Sequence, residues 1–87
     1  MKGNDDMNKN KELYTCEWKY NGDNAVTIIT KIPASEYDSD KRVEQCNSHS
    51  GFGFDYYKNL KDAVAHSLVP VTEIQFVNIT DNEIANL

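Results

Sequence analysis

Ser50-Gly51-Phe52-Gly53-Phe54-Asp55-Tyr56-Tyr57 is the stretch on which the fold turns. It holds the densest run of aromatic residues and glycines in the chain, at the point where strand-like patterning gives way to a helical period. Alternation puts Phe52, Phe54 and Tyr56 on one face of a strand and Gly51, Gly53 and Asp55 on the other. Large aromatic side chains are more often inside than out, so Phe52, Phe54 and Tyr56 are expected to form the core face, covered by a helix.

That helix follows at once. Tyr57, Leu60, Val64 and Leu68 recur at helical spacing with Ala63 and Ser67 beside them, while Lys58, Lys61 and Asp62 face outward. Asn59, or Asp55 just upstream, caps its start, and Pro70 stops it after Val69. The helix is therefore expected over residues 59–68. Residues 72–80 alternate again, with Ile74 and Phe76 opposite Glu73, Gln75, Val77 and Ile79, and read as a strand. Residues 81–87 form a short tail with room for one helical turn that packs Ile84 and Leu87.

Upstream, residues 12–20 alternate. Tyr14, Cys16, Trp18 and Tyr20 share one face, and Leu13, Thr15, Glu17 and Lys19 the other. Asn21-Gly22-Asp23-Asn24 breaks the run with a strong hairpin signal, since Asn-Gly supplies positive φ. A second strand over residues 25–32 carries Val26, Ile28, Ile29 and Ile32, and Pro33 ends it. Residues 34–50 are polar and charged, with Glu36, Asp38 and Asp40 close together. They read either as a long loop or as a short helix capped by Ser39 and running to Cys46, with Val43 and Cys46 on its inner face. Residues 1–11 are a polar arm without periodicity and are expected to be disordered. Residues 12–87 then form one α+β domain: a four-stranded, mostly antiparallel sheet opened by a β-hairpin, with one main helix packed on one face. The order is β-β-(short α or loop)-β-α-β.

Composition narrows the function. At 87 residues the core is small and the stability marginal. A formal charge of −5 disfavours a bare phosphate-backbone binder, which needs a basic stripe, and suits a basic partner surface. No apolar run approaches the roughly 18 residues of a membrane helix, and the polar start does not read as a signal peptide, so a cytoplasmic protein is expected. Two cysteines, Cys16 and Cys46, read as reduced thiols in that setting.

Catalytic chemistry finds little footing. Ser48, His49 and Ser50 are neighbours in sequence whose side chains point apart, and no Gly-x-Ser-x-Gly elbow is present. Gly51 and Gly53 lack the Lys-Ser/Thr ending of a phosphate loop. Cys46 and His49 have the spacing of half a zinc site, which Cys16 and His66 would have to complete, and no second short ligand pair exists. So short a chain also leaves little room for a ligand pocket of about 300 Å³ or more. The expectation is a protein that is not an enzyme and carries no metal or cofactor.

Residues 50–57 resemble the third-strand octapeptide of RNA-recognition-motif domains: a basic residue, Gly, aromatic, Gly or Ala, aromatic, aliphatic, any residue, aromatic. Gly51, Phe52, Gly53, Phe54 and Tyr57 match in register, and a helix containing Asp62-Ala63 and a last strand follow, as in that family. The resemblance implies that Phe52 and Phe54 stack on bases of single-stranded nucleic acid from an open sheet face. Ser50 stands where the family has its phosphate-contacting basic residue and Asp55 where it has an aliphatic. The opening hairpin replaces the family's strand, helix and strand, so the likeness covers about a third of the chain.

The favoured expectation is a small acidic protein-binding module, an inhibitor or modulator that occludes a surface of a larger protein, including one that itself binds nucleic acid. Accessory proteins of phages and mobile elements, and toxin-immunity proteins, are of this size and charge, an analogy of class only. Tyr14, Trp18, Tyr20, Tyr37, Tyr56 and Tyr57 are many amphipathic rings for so small a core, and those that face out are natural anchors. Trp18, Tyr20 and Tyr37 are the foremost candidates, with Glu36, Asp38 and Asp40 as steering charges. A sheet edge also offers homodimer formation. The alternative is the single-strand nucleic-acid binder using Phe52 and Phe54.

Overall fold

A computed structural model describes residues 11–21, 24–42 and 52–87, and for Tyr20, Asn21 and Asn24 the backbone only. The polar arm as far as Asn10, the centre of the Asn-Gly turn, the proposed helix around Val43 and Cys46, and the residues Ser48, His49 and Ser50 lie outside this description. Lys11, expected to belong to the arm, is instead tied to the fold by its carbonyl, which accepts the Ala34 N–H.

Four strands form one sheet in the order β3-β1-β2-β4: β1 (Glu12–Asn21), β2 (Asn24–Pro33), β3 (Phe52–Tyr57) and β4 (Ile74–Val77). β1 and β2 are antiparallel, with Cys16 opposite Ile29 and Asn21 opposite Asn24, which leaves two residues for the hairpin turn. β3 adds antiparallel to the other side of β1, and β4 adds parallel to β2. The parallel pair requires a crossover, which helix α1 (Leu60–Ser67) supplies between the two edge strands. Strand composition fits: residues 26–30 of β2 are all Val, Thr or Ile, whose branched side chains suit a pleated surface.

The helix side of the sheet holds the core. Cys16, Ile29, Leu60, Ala63 and Ile74 are buried there, with Tyr14, Trp18, Tyr57, Val64, Val69, Phe76 and Ile79 packed around them. Burial of Ile29, Leu60 and Ile74 contributes roughly 1.5–3 kcal/mol each. The Asn59 side chain caps α1, its Oδ1 accepting the Asp62 N–H at 2.9 Å.

Four expectations need correction. Leu68 is not part of the inner stripe. It is 89% exposed and left-handed, with φ of 62°. The helix has already stopped at Ser67, because Pro70 forces Val69 out of helical conformation and Leu68 makes the exit turn. The last strand is shorter than 72–80. A 3₁₀ turn occupies Val71–Glu73, and Asn78, at φ 62°, ends the ladder. The break resets the alternation, so Ile79 turns inward instead of following Val77 outward. Ser39 caps no α-helix. Residues 34–41 make two 3₁₀ turns, Ala34–Glu36 and Ser39–Lys41, the second capped by Asp38, which accepts the Asp40 N–H at 3.0 Å.

The fourth correction concerns the aromatic strand. Trp18 pairs with Gly53, Cys16 with Asp55 and Tyr14 with Tyr57, so Gly53, Asp55 and Tyr57 face the helix. Phe52, Phe54 and Tyr56 lie on the opposite, open face. The cause is the indole of Trp18, which lies across Gly53: a Cβ there would sit 2.1 Å from Trp18 Cζ2. Only glycine leaves room, and the rings of β3 are sent to the other side.

Candidate protein-binding face

The open face is built in cross-strand rows. Phe52, Lys19 and Val26 form one, Phe54, Glu17, Ile28 and Gln75 the next, and Tyr56, Thr15, Thr30 and Val77 a third. Leu13 and Ile32 pair beyond them. Apolar residues of β2 and β3 thus flank a polar middle strand, where Lys19 pairs with Glu17 at 3.4 Å.

Residues 34–42 join this face from outside the sheet. The Ala34 N–H donates to the Lys11 carbonyl at 2.8 Å, and the chain then crosses the foot of β1 to reach β3. There Tyr37 sets its ring edge-on to Tyr56, with centroids 4.7 Å apart. Tyr56 in turn meets Phe54 edge-on at 5.3 Å. Such pairs are worth about 0.5–1.5 kcal/mol beyond the area they bury. The Asp38 N–H donates to the Tyr56 hydroxyl at 3.2 Å. On the helix side of the same strand, Arg42 grips Asp55 with two bonds, Nε to Oδ1 at 2.7 Å and Nη2 to Oδ2 at 3.3 Å. The segment therefore straddles the outer edge of β3, held on both faces. Asp55, which burial alone would push up, is instead held below the usual carboxylate range by Arg42 and by the Tyr56 N–H at 2.8 Å. That resolves the cost of a carboxylate on the helix side without its capping the helix.

Two sets of residues that sequence reasoning kept apart are thereby brought together. Tyr37 (48% exposed) and Asp38 come from the acidic stretch, Phe54 from the aromatic strand, and Tyr56 bridges them. Glu36 and Asp40 are exposed on either side of Tyr37 and Asp38. Phe52 is half-buried one row further along. Trp18 sits elsewhere: it is on the helix side, half-buried, over Gly53 and against the core. The side chain of Tyr20 lies outside the described residues. Tyr56 was among the aromatic residues that the sequence offered as anchors, without being assigned to a binding face, and Glu17 was not singled out as a member of one. The signal for Glu17 was the alternation of β1, which does not say which face is open.

Other reactive groups are engaged in structure. Cys16 is fully buried, and burial, helped by the Asp55 charge, pushes its thiol up to about 11. Tyr14 donates to Glu83 Oε1 at 3.0 Å, and Lys31 meets the same oxygen at 2.8 Å. Glu83 also closes a capping box with Thr80 at the start of helix α2 (Asp81–Ala85). The Lys31 bond, with the Thr80 N–H and the Tyr14 hydroxyl, holds the Glu83 carboxyl down at about 2. Among the described residues no group of three or more His, Cys, Asp or Glu side chains is placed to hold a metal ion, and Cys46 and His49 lie outside them. No helix among them is long and apolar enough to cross a membrane.

No known protein family matches the chain, and neither a curated protein nor a solved structure does.

Proposed function

We propose that this chain is a protein-binding module, an inhibitor or modulator that covers a surface of a larger protein with its open sheet face. The observation that carries the reading is the continuous strip Tyr37–Tyr56–Phe54, three rings in edge-on contact and locked to β3. Tyrosine presents a large, amphipathic surface and loses little entropy on binding, which makes it a recurrent interface anchor. The contacts of Asp38 and Arg42 order this strip before any partner arrives, so binding costs less. Glu17, Glu36, Asp38 and Asp40 surround it, which favours a partner with an apolar ridge rimmed by Lys and Arg and speeds its approach.

The test is capture from a lysate of the source organism with three baits: the native chain, Tyr37→Ala, and Glu36, Asp38 and Asp40 all changed to Lys. Each is first checked for folding by circular dichroism. The reading expects one stoichiometric protein that survives nuclease treatment, is lost with Tyr37→Ala and binds more slowly to the charge-reversed chain. Equal capture by all three baits would sink it.

A second reading has one observation in its favour. Phe52 and Phe54 lie on the face turned away from the helix, where the RNA-recognition-motif resemblance puts base-stacking rings. The acidic surroundings oppose a phosphate backbone. Recovery that disappears with nuclease would favour this reading over the first.

A further inference from the structure

Three of the chain's nine basic residues border one groove of about 910 Å³ at the foot of the sheet. So large a space is unexpected in so short a chain. It is not cut from the core: it opens where the carboxyl ends of β2, β3 and β4 and the start of β1 come together. Crevices at the carboxyl ends of parallel strands, beside the start of a crossover helix, are recurrent ligand sites.

The lining sorts by role. Tyr14, Ile32 and Pro33 supply apolar wall, and Asn59 and Asn78 supply side-chain amides. Lys11, Lys31 and Lys58 bring three positive charges, against the carboxylate of Glu12 in the lining and that of Glu83 beside Lys31 and Tyr14, which leaves one net positive charge. Lys31 is neutralised by Glu83 at 2.8 Å and Glu12 at 3.9 Å. Lys11 and Lys58 have no carboxylate within ion-pair distance among the described residues. The groove is therefore a positive depression on a chain of net charge −5. The α1 N-terminus, with Asn59 as its cap, adds its dipole in the same sense.

We propose that this groove binds a small multivalent oxyanion, with the ammonium groups of Lys11 and Lys58 as its charge partners and the amides of Asn59 and Asn78 as donors. Lysines are point charges with rotatable donors, so the shared chemistry is a cluster of anionic oxygens, whether on a phosphate or on a polycarboxylate. The site is separate from the Tyr37–Tyr56–Phe54 strip and stands whether or not that strip binds protein.

The experiment is a titration of the full chain, isotopically labelled, with tripolyphosphate and separately with citrate, followed by amide resonances. Sodium chloride at matched ionic strength is the control. The expected result is saturable shifts centred on Lys11, Lys31, Lys58, Asn59 and Asn78, with affinity falling about two- to fivefold for Lys11→Gln and for Lys58→Gln, and by the product in the double variant. The two probes show which oxyanion is preferred. The proposal is overturned if neither moves these residues more than chloride does. It is equally overturned if shifts spread over Lys19, Lys41 and Lys61, or if the double variant responds like the native chain.

Discussion

Gly53→Ala tests the feature that sets the facing of the whole sheet. An alanine Cβ at 53 would meet Trp18 Cζ2 at 2.1 Å, Cε2 at 2.2 Å and Cη2 at 2.6 Å. Carbon atoms rest about 3.5–4.0 Å apart, so the indole must retreat by roughly 1.5 Å. It is the rigid body of a ring that moves, not the tip of a flexible chain, and it is packed against the core. Overpacking of this kind costs about 1–3 kcal/mol. Relief of glycine's unfolded-state entropy returns about 0.4–1 kcal/mol, so the net loss is about 0–2.6 kcal/mol, towards the upper end because the clash is with a rigid ring. A chain of this length is expected to hold only about 4–13 kcal/mol, and each kcal/mol lost lowers Tm by about 4–8 °C. Trp18 is the single tryptophan, so its emission reports on the displaced ring directly. Urea unfolding followed by that emission should show a lower midpoint and a red-shifted native spectrum. With Trp18→Leu as background, followed by circular dichroism, the same change at 53 should cost little or stabilise. A Gly53→Ala protein as stable as the native one, with unchanged emission, would refute the placement of Trp18 over Gly53. So would full additivity of the two substitutions.

Three further outcomes follow from individual side chains. Glu83 has its carboxyl held near 2 by Lys31, the Thr80 N–H and Tyr14, against an unfolded value near 4.5, so its contribution is complete above about pH 4.5 and fades as the pH falls towards 2. The Tm gap between the native chain and Glu83→Gln should therefore be wide at pH 6 and closed near pH 2, and a constant gap would contradict the assignment. Cys16, buried and raised to about 11, should resist a thiol reagent at pH 8 in a Cys46→Ser background, reacting at least ~10³-fold more slowly than in urea; rapid native labelling would show that the core is open there. Leu68→Gly removes a left-handed strain of about 1–2 kcal/mol from a side chain that is 89% exposed, and after glycine's own entropic cost should raise stability by about 0.5–1 kcal/mol in urea titration; a loss of stability would mean that Leu68 makes contacts that matter.

The candidate binding strip was only half legible in sequence. Tyr37, Asp38 and Phe54 were each recognisable as candidates, yet nothing local says that a residue of the 34–42 segment and a residue of β3 share one surface. Their meeting depends on Arg42 finding Asp55 and on Asp38 finding the Tyr56 hydroxyl. Both are contacts across more than ten residues, and neither leaves a trace in the spacing of either segment. The lysine groove was not legible at all, because Lys11 before β1, Lys31 in β2 and Lys58 after β3 are far apart in the chain and meet only at the foot of the sheet.

The sequence by itself determined the elements. Periods of two in β1 and β3, the Asn-Gly break and the β-branched run of β2, and the Asn59 cap of α1 are local properties, and local physics acts on them wherever they lie. It also determined that β1 turns Tyr14, Cys16 and Trp18 to one side together. What it left open was which side of β3 faces the helix, since alternation has two equally regular solutions. Counting rings favours the core for Phe52, Phe54 and Tyr56. The tertiary structure decided otherwise through one register, Trp18 opposite Gly53. The indole of one strand fills the space that the neighbouring strand leaves empty, so the glycine side goes inward and the aromatic side lies on the face turned away from the helix.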